Sequence, residues 1–212
     1  MMQHLLSLRV MFALALTTCA ICLAEPPKPS PYPVSWDFKF THGPLRRVMV
    51  DVAGQGRQAF WYMTYQVTND TDQERIFLPV FEMMLKDGKI LRSDKNIPAV
   101  VFDVIKSREK IKFLEPYPAI AGELRLGEDQ ARDGVAIWPE VMTEMGNFSV
   151  FASNLSGEAV VFKVSKGEPV KDSEGKPVIL RKTLQINYLV RGDELYPGQD
   201  RVEELGQEWV MR

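Results

Sequence analysis

In a chain of 212 residues, 26 basic side chains stand against 28 acidic ones, for a formal charge of −2. That balance offers no cationic surface to track a phosphate backbone, which argues against a nucleic-acid partner. With 45% hydrophobic and 10% aromatic residues, the chain has the material for one packed domain rather than for a disordered segment.

The first 24 residues read as a secretory leader. Arg9 supplies the positive charge, an apolar run follows from Val10, and Cys22-Leu23-Ala24 offers small side chains for a signal peptidase. Cleavage is expected between Ala24 and Glu25. It makes the protein exported, periplasmic or extracellular, and it removes both cysteines, Cys19 and Cys22. Thr18 before Cys19 and Ile21 before Cys22 are poor lipidation contexts, so a lipid anchor is not the expectation. The mature part holds no apolar run near the ~20 residues that a membrane helix needs. An exported domain without thiols must hold together by packing alone. That points to a bacterial envelope rather than to the disulfide-dense secreted domains of animals.

Residues 25–33, EPPKPSPYP, form a proline-rich extended tether. From there period-two alternation dominates, the mark of half-buried strands. Val34, Trp36, Phe38 and Phe40 define a first strand, and Val48, Val50 and Val52 a second, closed by the turn Ala53-Gly54-Gln55-Gly56. Residues 60–68 form a third, with Trp61, Met63, Tyr65 and Val67 on one face and Tyr62, Thr64 and Gln66 on the other. Asn69-Asp70-Thr71-Asp72 turns the chain. Residues 76–86 return, and Asp87-Gly88 makes a hairpin turn. Pro79 lacks a ladder donor, so this strand is expected at an edge, open to β-augmentation, or bulged there.

Ile97, Val100, Val101, Val104 and Ile105 recur at helical spacing, and Pro98 suits a first helical position. A short amphipathic helix is expected over residues 98–109, covering one end of a sheet. Strands resume at 119–126, 135–138, 147–152 and 159–164, followed by a polar loop at 166–176. Residues 177–191 alternate longest, with Val178, Leu180, Leu184, Ile186, Tyr188 and Val190 on one face and Lys182 the one misfit among them. Residues 209–211 are the last strand. The pattern predicts an all-β fold, an antiparallel sandwich with one short inserted α-helix. Residues 34–212 then form a single domain with a C-terminal extension.

The stretch FWYMTYQVTNDTDQERIFLPVFEMMLKDGK resembles the hairpin of immunoglobulin-like domains in uncharacterised bacterial secreted proteins and lipoproteins. LRLGEDQARDGVAIWP resembles a later strand of the same domains. The resemblance implies an immunoglobulin-like β-sandwich and an adhesive, accessory or partner-binding role. It carries no site residues.

Candidate chemistry is sparse. His42 is the one histidine beyond the leader, and Thr41-His42-Gly43-Pro44 reads as a solvated turn. There is no G-x-S-x-G nucleophile motif, and no Cys/His metal spacing survives the leader's removal. Asp70, Asp72 and Glu74 have calcium-like spacing without the glycine of an EF-hand loop, and read as turn acids. Glu128, Asp129 and Asp133 form a second acidic loop near Arg125 and Arg132. Trp36, Trp61, Trp138 and Trp209 are either core residues or sugar-stacking platforms; alternation with apolar neighbours favours the core for Trp61. Asn69, Asn147 and Asn154 begin N-glycosylation triplets, a pattern that turn-rich β proteins meet by chance. No catalytic, metal-binding or cofactor-binding residue is assigned. The expectation is a non-enzymatic exported domain that binds a protein or glycan of the cell envelope. A carbohydrate-binding module and a carboxylate-dependent hydrolase are the alternatives.

Overall fold

The computed structural model describes residues 25–93, 95–140, 146–164, 167–191 and 202–212. Residues 1–24, the span expected to be a leader ending at Ala24, lie outside the described residues, as does Lys166 of the polar loop; Glu25 is the first residue described, and it is exposed. In chain order the first strands are β1 (Lys39–His42), β2 (Arg46–Val52), β3 (Gly56–Thr68), β4 (Arg75–Phe77), β5 (Val80–Met84) and β6 (Ile90–Arg92). Helix α1 (Ala99–Glu109) and the single turn α2 (Tyr117–Ile120) follow, then β7 (Gly122–Leu124) and β8 (Arg132–Pro139). The chain closes with β9 (Gly146–Ser153), β10 (Ala159–Val161), β11 (Ile179–Val190) and β12 (Glu203–Met211). The fold is mainly β, and its strand ladders are antiparallel.

Strand β3 organises the first sheet. β1 and β2 share one of its edges, pairing from His42↔Tyr65 to Lys39↔Thr68 and from Arg46↔Tyr62 to Val52↔Gly56. β8 takes the other edge, with Trp61 opposite Trp138. The β2–β3 turn needs Gly54, whose φ of 75° is strained for any residue with a Cβ. In the second sheet β11 is central: β12 flanks one edge and β9 the other, and β5 and β6 continue beyond β9. β10 pairs the first residues of β11.

The two sheets share one core. Trp61, Met63, Tyr65 and Val67 of β3 pack with Phe81 and Met83 of β5, Phe148 and Val150 of β9, and Leu184, Ile186 and Tyr188 of β11. The face expected for β3 is therefore the face it buries. Its other face is not polar throughout: Phe60 and Tyr62 are also enclosed, in a second core with Val48, Val50, Val52, Val135 and Ile137. Val101 and Ile105 of α1 close that second core. The helix thus lies across the outer face of the first sheet, not over a sheet end as expected. Its bounds fall within one residue of the expectation: Pro98, expected as the first helical residue, is extended and precedes the helix, and Lys110 ends it in the left-handed conformation.

Four segments depart from the sequence pattern. Trp36 and Phe38 alternate inward, but only Lys39–His42 forms a ladder; Asp37 makes a single bridge to Ser156. Residues 76–86 are not one strand. β4 pairs with β7, the chain breaks at Leu78-Pro79, and β5 enters the second sheet between β9 and β6. Pro79 is neither at an edge nor in a bulge: its missing donor falls in the gap where the chain changes partners. The span 119–126 starts as the helical turn α2 and is extended only at Gly122–Leu124. Finally, β11 runs at the centre of the second sheet, so the C-terminal residues are integral to it. Among the described residues no helix is long and apolar enough to cross a membrane.

Candidate functional site

A cleft of about 730 Å³ opens where the N-terminal end of α1 meets α2 and the outer face of the first sheet. Val135 and Ile137 of β8 form its floor, because β8 buries alternate side chains on both faces. Ile97, Pro98 and Phe102 make one wall, and Pro116, Tyr117 and Pro118 the other. Three prolines with restricted backbones hold these walls in shape. Asn96, with φ of 58°, turns the chain into the helix. Asn96, Gln55 and Asp103 bring polar groups to the rim, and Asp103 is the one carboxylate among the described residues lining the cleft. Apolar walls with few convergent polar groups are the usual make-up of a small-ligand site.

The far end of α1 is anchored by a polar cluster. Arg46 donates through Nη1 to both oxygens of Glu109 at 2.7 and 3.0 Å, and the Tyr62 hydroxyl donates to Glu109 Oε1 at 2.5 Å. Burial, reinforced by that bond to Glu109, pushes the Tyr62 phenol up to about 12. Burial likewise pushes the Tyr65 phenol up. On the neighbouring stretch Arg132 grips Glu115 and donates to the carbonyls of Ile120 and Ala119, fixing α2 beside β8. The helix and the turn that wall the cleft are thus each tied to the first sheet by a guanidinium.

His42 is not a solvated turn residue. It ends β1 with its side chain 11% exposed, Nδ1 3.0 Å from the Gly43 carbonyl, Nε2 3.2 Å from Gln207 Oε1 and 4.0 Å from Glu204. It joins the edge of the first sheet to β12 of the second. Asp72 is exposed and pairs with Arg75 at 2.6 Å, while Asp70 and Glu74 point to solvent. Glu128 meets Lys39 at 2.8 Å, and that bond holds its carboxyl below the usual range. Asp133 accepts from Gln66. The two loops meet where the Gly127 N–H donates to the Asn69 carbonyl at 3.0 Å, yet among the described residues no group of three or more metal-ligating side chains gathers.

Trp61 and Trp138 are wholly buried, and Trp36 and Trp209 are half-buried under cations, Arg75 at 4.9 Å and Lys182 at 4.8 Å from the ring centroids. The Asn69 amide is buried and spent on its own turn and on β7, donating to the Gln73 and Leu124 carbonyls and accepting from Thr71. Asn154 donates to the Leu78 carbonyl, and Asn147 is exposed on β9.

The cleft escaped sequence reasoning because its walls come from separate segments. Their signal was weak: three prolines beside α1 and in or before α2, and the aromatics Phe102 in α1 and Tyr117 in α2. Lys182 was visible as a misfit, and the structure supplies its partners, Asp37 and Glu158. Compared with family models, curated proteins and solved structures, the chain matches none of them.

Proposed function

We propose that this chain is an exported, non-enzymatic binding domain of immunoglobulin-like β-sandwich architecture, and that its ligand enters the cleft at the N-terminal end of α1. The observation that carries the reading is the cleft's composition. Phe102 and Tyr117 flank an apolar floor, and Asn96, Gln55 and Asp103 supply a few hydrogen-bonding groups. Acid/base hydrolysis of a glycoside needs two carboxyl groups across the substrate, and Asp103 stands alone among the described residues that line this cleft. The leader pattern supports export, and the two-sheet core with hairpin connections supports the immunoglobulin-like architecture.

A glycan is the favoured ligand class, because two aromatic side chains beside amide and carboxylate groups match what a sugar ring requires: an apolar face and hydroxyls to bond. A protein partner of the cell envelope is the second class. The test is titration of the mature protein with envelope glycan fragments, followed by amide chemical shifts. Shifts confined to α1, α2 and β8, lost in both Phe102→Ala and Tyr117→Ala and kept in Trp209→Ala, are expected. Shifts centred on another face would remove the cleft from the reading. A hydrolytic activity abolished by one Asp or Glu substitution would remove the non-enzymatic reading.

A further inference from the structure

Helix α1 ends in a turn with two opposite faces. Lys110 takes the left-handed conformation and stops the helix. Ile111 then packs against the second core, and Leu114 is buried within it. Between them Lys112 and Phe113 are exposed, Phe113 by 68%. Among the described residues it is the most exposed large side chain made of hydrocarbon alone. The backbone beneath it is braced. The Leu114 N–H donates to the Ile111 carbonyl at 3.3 Å, the Lys106 amine to the Leu114 carbonyl at 3.2 Å, and the Glu115 N–H to the Asp133 carbonyl at 2.9 Å. The ring is thus held out in water, with the Lys112 ammonium 4.9 Å from its centroid.

The charge around the ring has one sign. Lys106, Lys110 and Lys112 are all exposed. Lys110 and Lys112 form no ion pair among the described residues. The acids that flank the turn are already held, Glu109 by Arg46 and Tyr62, and Glu115 by Arg132. Over the whole chain acids outnumber bases, 28 to 26, so these lysines are a local excess and not part of a generally basic surface. Cations in the last turn of a helix offset its dipole. That accounts for Lys106, but not for Lys110 and Lys112 beyond the helix or for the aromatic ring beside them.

We propose that this turn docks the protein on the surface of a bilayer rich in anionic phospholipid. Phe113 enters the boundary between headgroups and acyl chains, and Lys110 and Lys112 pair with headgroup phosphates. Interfacial binding of this kind combines buried apolar area with attraction to anionic lipid. A soluble polyanion would engage the lysines and leave the ring in water, so the presentation of Phe113 favours the membrane. None of residues 106–113 lines the cleft, and the docking therefore stands apart from the ligand reading.

The experiment is co-sedimentation of the mature protein with vesicles. Binding is expected with equal parts phosphatidylglycerol and phosphatidylcholine, falling as salt rises, and not with phosphatidylcholine alone. Lys110→Gln and Lys112→Gln combined should weaken it roughly 25-fold, about fivefold for each charge near the surface. Phe113→Ser should weaken it at least about tenfold, while Tyr32→Ser, at the other highly exposed aromatic, should leave it unchanged. On anionic vesicles the Phe113→Trp emission should shift to the blue and be quenched by lipids brominated on the acyl chain, beyond any change in the wild type. Failure to bind anionic vesicles overturns the proposal, as does equal binding to neutral ones. Full binding by Phe113→Ser, matched by binding to soluble polyphosphate, would replace the membrane with a plain polyanion contact. Equal losses in Tyr32→Ser and Phe113→Ser would overturn the assignment to this turn, and an unshifted Phe113→Trp emission on bound vesicles would overturn insertion of the ring.

Discussion

Trp61 is enclosed between the two sheets, opposite Trp138 across the β3–β8 pair. Truncating it to alanine removes a large ring from a packed site, and Trp61→Ala is expected to cost ~3–5 kcal/mol in urea denaturation. A loss below ~1 kcal/mol would place the ring outside the core. The indole N–H groups of Trp61 and Trp138 have no acceptor among the described residues. Trp61→Phe, which keeps a ring and deletes an unpaired donor, should therefore cost much less than the alanine change. Tyr62 makes a pH prediction. Its phenol is raised from 10.0 to about 12 in the fold, so the folded state holds its proton more tightly than the unfolded state does. The resulting stability is complete below pH 10 and is lost as pH rises toward 12. Urea midpoints between these limits should fall with pH, and Tyr62→Phe should flatten the fall; an equally steep decline in the variant would assign it to other groups. The inward face of β3 was legible because alternation alone assigns it. The burial of Tyr62 and His42 was not, since each is covered by a distant segment: α1 over one, β12 beside the other.

At the scale of elements, α1 supplies the lid of the second core. Val101 and Ile105 are fully buried there, while Val100 remains 39% exposed although it shares their spacing. Periodicity located the helix but could not say which part of its apolar stripe meets a sheet, because that depends on the crossing geometry. Ile105→Ala should cost ~2–5 kcal/mol. Its effect on hydrogen exchange should also be local, with α1 and β2 losing protection before β9 and β11. Uniform loss across both sheets would mean that the two cores unfold as one. Pro79 carries the complementary lesson. A missing donor signals that regular pairing stops, but not what the chain does next, and here β4 and β5 join different partners on either side of it.

Across the whole molecule, pairing is long-range. β3 meets β8, β5 meets β9, and β11 gathers β9, β10 and β12. Charged side chains tie distant segments at several points: Arg47 to Glu140 at 2.6 Å, Arg212 to Glu82 at 2.6 Å and Lys182 to Asp37 at 2.7 Å. Each pair joins residues far apart in sequence, so none was legible as a pair beforehand. Export is the prediction that belongs to the chain as a whole. N-terminal sequencing of the product secreted by a bacterial host should begin Glu25-Pro26-Pro27, and a product retained in the cytoplasm with Met1 intact would remove the envelope from the proposed function.

The sequence by itself determined the strand-rich class, the inward face of β3, the existence and bounds of α1, and the oddity of Lys182. These follow from local periodicity, from proline and glycine chemistry, and from one charge in an apolar row. Only the tertiary structure decided that the helix lies over a sheet face, that the chain changes sheets at Pro79, that His42 is enclosed, and that a cleft forms between α1 and α2. Each of these depends on which distant segments come to share a surface, and side-chain alternation reports whether a residue is covered without reporting by what.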